Sequence, residues 1–196
     1  MPNSFQSVQF SLCVFCGSRM GIDADFGQAA RNLGEVLARN KWRLVYGAGD
    51  VGLMGEVARA TQALGGETFG VIPEHLMSLE AGKHDLSHFV ITQTMHERKK
   101  VMFMNSNAMV ILPGGAGTLD EFFEVVTWRH LGLHSKPIYL LNINGYWDVL
   151  LTMLDQMIEQ GFADSNFCDH ISVVNTVTAL EQALSDYLAR RKPARV

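Results

Sequence analysis

The chain has 196 residues, a length that fits one domain and excludes a large multidomain assembly. Hydrophobic residues make up 47% of the sequence and charged residues 18%, a composition that excludes an intrinsically disordered chain. Sixteen Lys and Arg residues against twenty Asp and Glu residues give a net charge of −4, which disfavours nucleic acid and anionic membranes as partners.

Apolar runs and amphipathic segments alternate along the chain and predict its strands and helices. This alternation is typical of a doubly wound, Rossmann-like α/β fold, in which a mostly parallel sheet of about seven strands carries helices on both faces. We expect a single domain, residues 1–196, with a frayed basic tail from residue 190. The predicted strands are residues 8–16, 42–46, 68–72, 89–92, 108–112, 137–141 and 171–174, and the predicted helices are residues 25–39, 52–64, 95–106, 119–131, 147–160 and 177–190.

Cys13 and Cys16 form a C-x-x-C spacing inside the first predicted strand, as redox and zinc motifs do. Residues three apart along a strand point to opposite faces, so we favour two buried structural thiols over a shared site. The odd count of three cysteines predicts reduced thiols. With no apolar run of about 20 residues and no cleavable leader pattern, the sequence predicts a cytoplasmic protein that contacts no membrane.

Glycine-rich or polar segments follow three predicted strands, at residues 17–21, 47–52 and 113–118. Ligands of doubly wound sheets bind beyond the carboxyl ends of the strands, where the strand order reverses. Flexible segments at this edge allow backbone N–H groups to approach an anion. A ligand site is therefore expected at one or more of these three segments.

Gly47, Gly49 and Gly52 match the pattern G-x-G-x-x-G between a predicted strand and a predicted helix, which indicates a dinucleotide site. Such a site needs an acidic residue about 20 residues on, at the far end of the next strand. Glu67 has this distance but begins that strand, whereas Glu74 follows it. Dinucleotide binding and tight helix packing under a turn are equally supported at this segment.

Residues 113–118 carry the stronger phosphate signal. Three glycines within four residues permit a close approach to a ligand, and the following helix N-terminus offers N–H donors and the positive end of its dipole. Thr118 adds a hydroxyl. The segment lacks the lysine of a Walker loop, which disfavours nucleoside triphosphate hydrolysis.

Thr118 and Glu121 have two interpretations. Their spacing matches a capping box, in which Glu121 would bond the backbone N–H of Thr118. Alternatively, Glu121 is a catalytic carboxylate, which beside a phosphate requires a nearby cation. The sequence supports both interpretations equally.

Arg98 and Lys99 are candidates for that cation. Helical periodicity places both at the apolar stripe of the predicted helix 95–106, whereas Glu97 and Lys100 point away. Snorkelling of the two cations to solvent is the alternative. Because the strand that leads to residue 113 directly follows this helix, we expect Arg98 near the phosphate site.

These segments also resemble the LOG (Lonely Guy) family, the cytokinin riboside 5′-monophosphate phosphoribohydrolases. Residues 113–121 resemble the family's P-G-G-x-G-T-x-x-E signature, and residues 95–99 resemble its M-H-x-R-K motif. The sequence departs from the family where Ala116 occupies a position that is often tyrosine, and where Asp120 replaces a frequent second glutamate. The likeness extends over residues 16–18, 46–49, 70–73, 128 and 144–146.

The resemblance implies hydrolysis of the N-glycosidic bond of purine nucleoside 5′-monophosphates, including AMP, to free base and ribose 5-phosphate. It implies Arg98 and Glu121 as the catalytic pair, a homodimer, and no cofactor or metal. The implied substrate-binding residues are Ser18, Glu80, Met95, Lys99, Gly114, Gly115, Ala116, Gly117, Thr118, Leu119 and Asp120.

The alternative function is a dinucleotide- or nucleotide-binding carrier without hydrolase activity. A metal enzyme is disfavoured, because the pairs His84/His88 and His130/His134 are spaced four apart without an obvious third ligand. Each pair is expected at the surface or at a helix end. Base release from a nucleotide separates the hydrolase from the carrier.

Overall fold

The computed structural model describes residues 10–77 and 85–191. Within them the predicted strands and helices are all present, with small differences at their ends. Glu80, His84, the first residues of the predicted strand 8–16, and the tail residues Lys192 and Arg195 lie outside the described residues. The strands are β1 (Ser11–Phe15), β2 (Arg43–Tyr46), β3 (Thr68–Pro73), β4 (His88–Thr92), β5 (Ala108–Ile111), β6 (Ile138–Leu141) and β7 (Ser172–Val174). The helices are α1 (Ala24–Arg39), α2 (Gly52–Ala63), α3 (Met95–Met104), α4 (Ala116–His130), α5 (Asp148–Glu159) and α6 (Val177–Arg191), with short 3-10 turns at Glu74–Leu76, Ile143–Gly145 and Phe167–His170.

The seven strands form one sheet in the order β4-β3-β2-β1-β5-β6-β7, and all six described pairings are parallel. The predicted doubly wound α/β fold is confirmed. From β1 the chain builds one half of the sheet through β2 to β4, then returns to the other side of β1 to add β5. The strand order therefore reverses between β1 and β5, where a ligand site is expected.

Each face of the sheet is covered by its own set of helices. Leu12 and Val14 face a core formed with α1, α2 and α6, whereas Cys13 and Phe15 face a core formed with α3, α4 and α5. Cys16 joins the first of these cores, opposite to Cys13. The prediction of two buried thiols on opposite faces is confirmed, and burial raises the pKa of the Cys13 thiol.

Helices α1 and α2 pack closely because small residues meet at their crossing. A side chain at Gly34 would place its Cβ 2.5 Å from the carbonyl oxygen of Val57, so only glycine fits there. At the surface of the same interface, Glu56 of α2 accepts a 2.7 Å hydrogen bond from Arg31 of α1. Close packing at the crossing and an ion pair at the surface together hold the two helices against each other.

No helix in the described parts of the chain is both long and apolar enough to cross a membrane.

Candidate active site

A cavity of about 430 Å³ opens at the carboxyl edge of the sheet, between the loops that follow β1 and β5. The loops are joined there, because the Gly17 N–H donates to the Pro113 carbonyl at 3.0 Å. The cavity thus lies where the strand order reverses. It is lined by residues 14–21, Phe26, Gly47, Leu53, Met54, Leu76, Met95, Arg98, Met102, residues 113–118, Glu121 and Tyr146.

One wall of the cavity is the N-terminus of α4. The helix begins at Ala116 after the N-cap residue Gly115, three residues earlier than the predicted start at residue 119. Since Gly115 has no side chain to cap the first turn, the backbone N–H groups there are suited to bind an anion. The glycine-rich segment is therefore partly the first turn of a helix.

The early start of α4 corrects one interpretation of Thr118. A capping box requires Thr118 to precede the helix, but it is the third residue of α4. Its side chain is buried and lies against Gly114, where an added Cβ would be 2.1 Å from the Thr118 Oγ1. Glu121 belongs to the second turn and lines the cavity. The capping-box interpretation is wrong, and the catalytic interpretation of Glu121 remains.

The local sequence of α3 explains why Arg98 points inward. Thr94 and Glu97 form a capping box, in which the Glu97 N–H donates to the Thr94 Oγ1 at 3.2 Å and the Thr94 N–H donates to the Glu97 Oε2 at 3.1 Å. This cap fixes the first turn of the helix and keeps Glu97 at the surface. Arg98 follows directly and turns towards the sheet, as the helical periodicity predicts.

Arg98 is 4% exposed and is held by two backbone carbonyls, one within β3 and one in the residue that follows β2. Its Nε donates to Val71 at 3.1 Å, and its Nη2 donates to Gly47 at 2.8 Å. A Cβ at residue 47 would lie 2.0 Å from that Nη2, so a side chain there would displace the guanidinium. The snorkelling alternative is wrong for Arg98, whose positive charge is placed at the cavity wall.

Lys99 is also buried, but it points towards α4 and does not line the cavity. Its Nζ lies 2.9 Å from the Asp120 Oδ2 and 3.1 Å from the Glu124 Oε2. Burial favours the neutral amine, but the hydrogen bonds and charges of the two carboxylates outweigh it and raise the pKa of Lys99. Lys99 thus fastens α3 to α4.

The other predicted substrate-binding residues divide into two groups. Ser18 and Met95 line the cavity together with residues 114–118. Leu119 and Asp120 lie outside the lining, as Lys99 does, and Glu80 is outside the described residues. A contact of these four residues with substrate stays a prediction.

Residues 47–52 mainly serve packing. Gly47 accommodates Arg98, and Gly52 has a positive φ of 56° with no room for a Cβ, which would lie 2.3 Å from the backbone of Ser18. Glu67, the candidate ribose acid, lies at the opposite edge of the sheet and pairs there with His88 at 3.1 Å. The geometry therefore favours helix packing over dinucleotide binding at this segment.

Tyr146 is a cavity residue that no sequence pattern singles out as part of a site. The side chain lines the cavity, and its hydroxyl donates to the Gly114 carbonyl at 2.6 Å. Its place just after β6, at the carboxyl edge of the sheet, is the signal that could have identified it. Arg19 and Phe26 also line the cavity.

Comparison with known proteins supports one family. The family model described as "possible lysine decarboxylase" matches residues 54–184. The probable cytokinin riboside 5′-monophosphate phosphoribohydrolase LOG6 of Arabidopsis thaliana is 42% identical over 188 residues, which cover 95% of this chain and 94% of that protein. The cytokinin riboside 5′-monophosphate phosphoribohydrolase of Rhodococcoides fascians is 46% identical over 153 residues, which cover 78% of this chain and 77% of that protein.

Solved structures share the fold at lower identity. The molybdenum cofactor carrier protein of Chlamydomonas reinhardtii aligns with a TM-score of 0.70 and 21% identity, over 92% of this chain and 99% of that chain. The molybdenum cofactor binding protein of Rippkaea orientalis aligns with a TM-score of 0.68 and 17% identity, over 91% of this chain and 96% of that chain. At such identities the likeness shows the fold alone. The coverage and identity of the sequence relatives, together with the motifs that form the cavity, show that the chain belongs to the LOG family.

Proposed function

We propose that the chain hydrolyses the N-glycosidic bond of purine nucleoside 5′-monophosphates and releases free base and ribose 5-phosphate. The observation that carries the proposal is one cavity lined by the α4 N-terminus, a buried arginine and a glutamate. The names of its relatives, cytokinin riboside 5′-monophosphate phosphoribohydrolases, support the same activity. The lining of the cavity and the names of the relatives both support an enzyme of the phosphoribohydrolase type.

The 5′-phosphate is assigned to the start of α4. The N–H groups of the first turn and the positive end of the helix dipole bind an anion there, and Thr118 adds a hydroxyl donor. Arg98 contributes a fixed positive charge in the same wall, because its side chain is already held by Val71 and Gly47. Binding the phosphate converts remote binding energy into alignment of the bond that breaks.

Glu121 is assigned to the sugar. Cleavage builds positive charge at the anomeric carbon C1′, which a nearby carboxylate stabilises. The same carboxylate orients or deprotonates the attacking water. The water oxygen forms a bond to C1′ as the bond from C1′ to the base nitrogen breaks. The water gives up one proton and the departing base nitrogen takes up one, so the products are ribose 5-phosphate and the neutral base. Arg98 offsets the repulsion between Glu121 and the phosphate.

The apolar part of the cavity suits the purine. Met20, Leu53, Met54 and Leu76 line it and offer dispersion contacts to a flat aromatic base. AMP and prenylated adenine nucleotides both match this chemistry, so we propose AMP as a substrate alongside the cytokinin nucleotides. As the family resemblance implies, we further propose a homodimer. Sedimentation equilibrium at twice the monomer mass is the expected result, and a monomer mass contradicts it. The reduced thiols that the sequence predicts agree with the cytoplasmic location that we also propose.

Base release tests the activity directly. We expect purified protein incubated with AMP or isopentenyladenosine monophosphate to release adenine or isopentenyladenine and ribose 5-phosphate, measured by chromatography. Folded protein that releases neither base contradicts the proposal. Tight nucleotide binding without base release supports the carrier alternative.

Glu121→Gln tests the assigned role of the carboxylate. We expect kcat to fall roughly 10² to 10⁴ fold, while the affinity for AMP stays within about threefold, because the charge acts mainly in the transition state. Glu159→Gln, at an exposed acid near the end of α5, is the matched control and retains activity. Turnover by Glu121→Gln at the rate of the unmodified protein removes Glu121 from the mechanism.

A further inference from the structure

Tyr146 joins two loops that meet at the cavity. Its backbone belongs to the loop after β6, whereas the carbonyl that accepts its hydroxyl hydrogen bond, at 2.6 Å, belongs to Gly114 in the loop after β5. The bond is short, and it connects residues 32 apart in the sequence. The proposed chemistry does not use Tyr146, so this contact needs a separate explanation.

The ring of Tyr146 is held on two sides. It packs edge-on against Phe26 of α1, with ring centroids 5.3 Å apart, and edge-on against Trp147, with centroids 4.7 Å apart. Such contacts between aromatic rings are favourable and restrict the ring's orientation. The hydroxyl is therefore presented to Gly114 from a fixed position.

The backbone beneath Tyr146 is also braced. Asn144 adopts a left-handed conformation with φ of 51°, which asparagine tolerates better than most residues. Its side-chain amide donates to the carboxylates of Asp23 and Asp25 at the start of α1, each at 2.9 Å. The loop after β6 is thereby fastened to α1, a second element of the cavity wall.

The Gly114 carbonyl determines the orientation of a peptide group in the phosphate-binding loop. In a trans peptide the C=O and the following N–H point in opposite directions, so a carbonyl tied to Tyr146 turns the Gly115 N–H away from it. Two consecutive glycines permit many backbone conformations, and an external contact is needed to select one. The hydroxyl of Tyr146 supplies that contact.

We propose that Tyr146 is a positioning residue, whose hydroxyl holds the Gly114–Gly115 peptide so that the N–H groups at the start of α4 meet the 5′-phosphate. This inference rests on the proposed function, since it concerns the phosphate of that same substrate. Tyr146 then acts on phosphate recognition through the backbone of residues 114 and 115.

Tyr146→Phe tests the proposal, because it removes the hydroxyl and keeps the packed ring. The dissociation constant of AMP is measured by calorimetry in the Glu121→Gln background, where the nucleotide is not consumed. We expect it to rise about 3 to 10 fold, the usual effect of one lost hydrogen bond. Adenosine, which lacks the phosphate, is expected to lose less than about twofold in affinity.

Tyr139→Phe is the matched control. Its hydroxyl also donates to a backbone carbonyl, that of Ala183 in α6, and Tyr139 does not line the cavity. It should leave the affinity for AMP unchanged. If Tyr146→Phe does not fold, Asn144→Ala is measured instead, with a smaller loss of AMP affinity expected.

Unchanged AMP affinity in Tyr146→Phe, or an equal loss for AMP and adenosine, overturns the proposal for Tyr146. Neither outcome affects base release by the unmodified protein, on which the proposed function depends. Failure of the inference and failure of the proposed function are therefore distinguishable in the same set of samples.

Discussion

Arg98 places a positive charge at the wall of the cavity. A guanidinium that is 4% exposed must find its hydrogen-bond partners inside the protein, and Arg98 finds them on the carbonyls of Val71 and Gly47. One carbonyl lies within β3 and the other directly after β2, and these two strands are parallel neighbours in the sheet. The charge is therefore positioned before any ligand binds, which is the preorganisation that catalysis by electrostatic stabilisation requires.

Gly47→Ala tests this positioning at the scale of one methyl group. The added Cβ would lie 2.0 Å from the Arg98 Nη2, so the guanidinium must move away from the Gly47 carbonyl. We expect kcat/KM for AMP to fall at least about tenfold, as expected for a charged group displaced by about 1 Å. Unchanged kcat/KM contradicts the positioning role of Arg98.

Gly117→Ala is the matched control for Gly47→Ala, because it adds the same methyl group at a glycine where there is space for it. Its effect on stability is measured by thermal unfolding. A Cβ at residue 117 meets nothing within 4 Å, and the residue lies in the first turn of α4. We expect an unchanged or higher Tm, because alanine favours a helix over glycine by roughly 0.5–1 kcal/mol. A fall in Tm for Gly117→Ala contradicts the open environment of this position.

At the scale of elements, polar contacts join the helices around the cavity in pairs. Lys99 connects α3 to α4 through Asp120 and Glu124. Arg31 connects α1 to α2 through Glu56. Each contact joins two helices that both contribute residues to the cavity lining.

The pH dependence of stability tests the α1–α2 contact. Hydrogen bonds from Arg31 and then Arg59, which outweigh burial, lower the pKa of Glu56 below its ordinary value of 4.5. The unfolded chain therefore binds more protons than the folded chain as the pH falls below 4.5. The stabilisation by Glu56 is complete above this pH and is lost as the pH falls through the lowered pKa.

Glu56→Gln should therefore lower the free energy of unfolding near neutral pH by about 1 kcal/mol and flatten its acid dependence. Urea titrations from neutral pH to well below the ordinary glutamate pKa measure both effects. Glu35→Gln, on the exposed face of α1, is the control and is expected to change neither. Parallel pH profiles for Glu56→Gln and the unmodified protein contradict the assigned ion pair.

The sequence could predict which elements form, but less well where one of them begins. Continuous apolar runs identify the strands, because burial on both faces of the sheet dictates such runs, and helical periodicity identifies the helices. The sequence predicts that α4 begins at residue 119, whereas the helix begins at Ala116. Glycines are poor helix formers in general, yet the first turn tolerates them because its N–H groups need no intrahelical partner.

The candidate site shows the same division between local and long-range information. The inward direction of Arg98 follows from local periodicity, and so it could be predicted. The direction of Lys99 towards α4 could not, because both cations lie near the same stripe and only the packing of α3 against α4 separates them. The contact of Tyr146 with Gly114 depends on the neighbourhood of the β5 and β6 loops, which no local pattern encodes.

At the scale of the whole molecule, the position of the site follows from the order of the strands. The strand order reverses between β1 and β5, so the chain leads from β1 to α1 on one face of the sheet and from β5 to α4 on the other, and the cavity lies between these two connections. Helix α4 begins at that point, and its N-terminus presents backbone N–H groups that are suited to bind an anion. The fold thereby brings backbone donors from one loop together with the side chains of Arg98 and Glu121.

A crystal structure of Glu121→Gln with bound AMP tests the central claim most directly. We predict the phosphate within hydrogen-bond distance of backbone N–H groups at residues 115–118, and the side chain at residue 121 beside C1′ of the ribose. A nucleotide bound with its phosphate away from the α4 N-terminus, or with C1′ out of reach of residue 121, would contradict the claim.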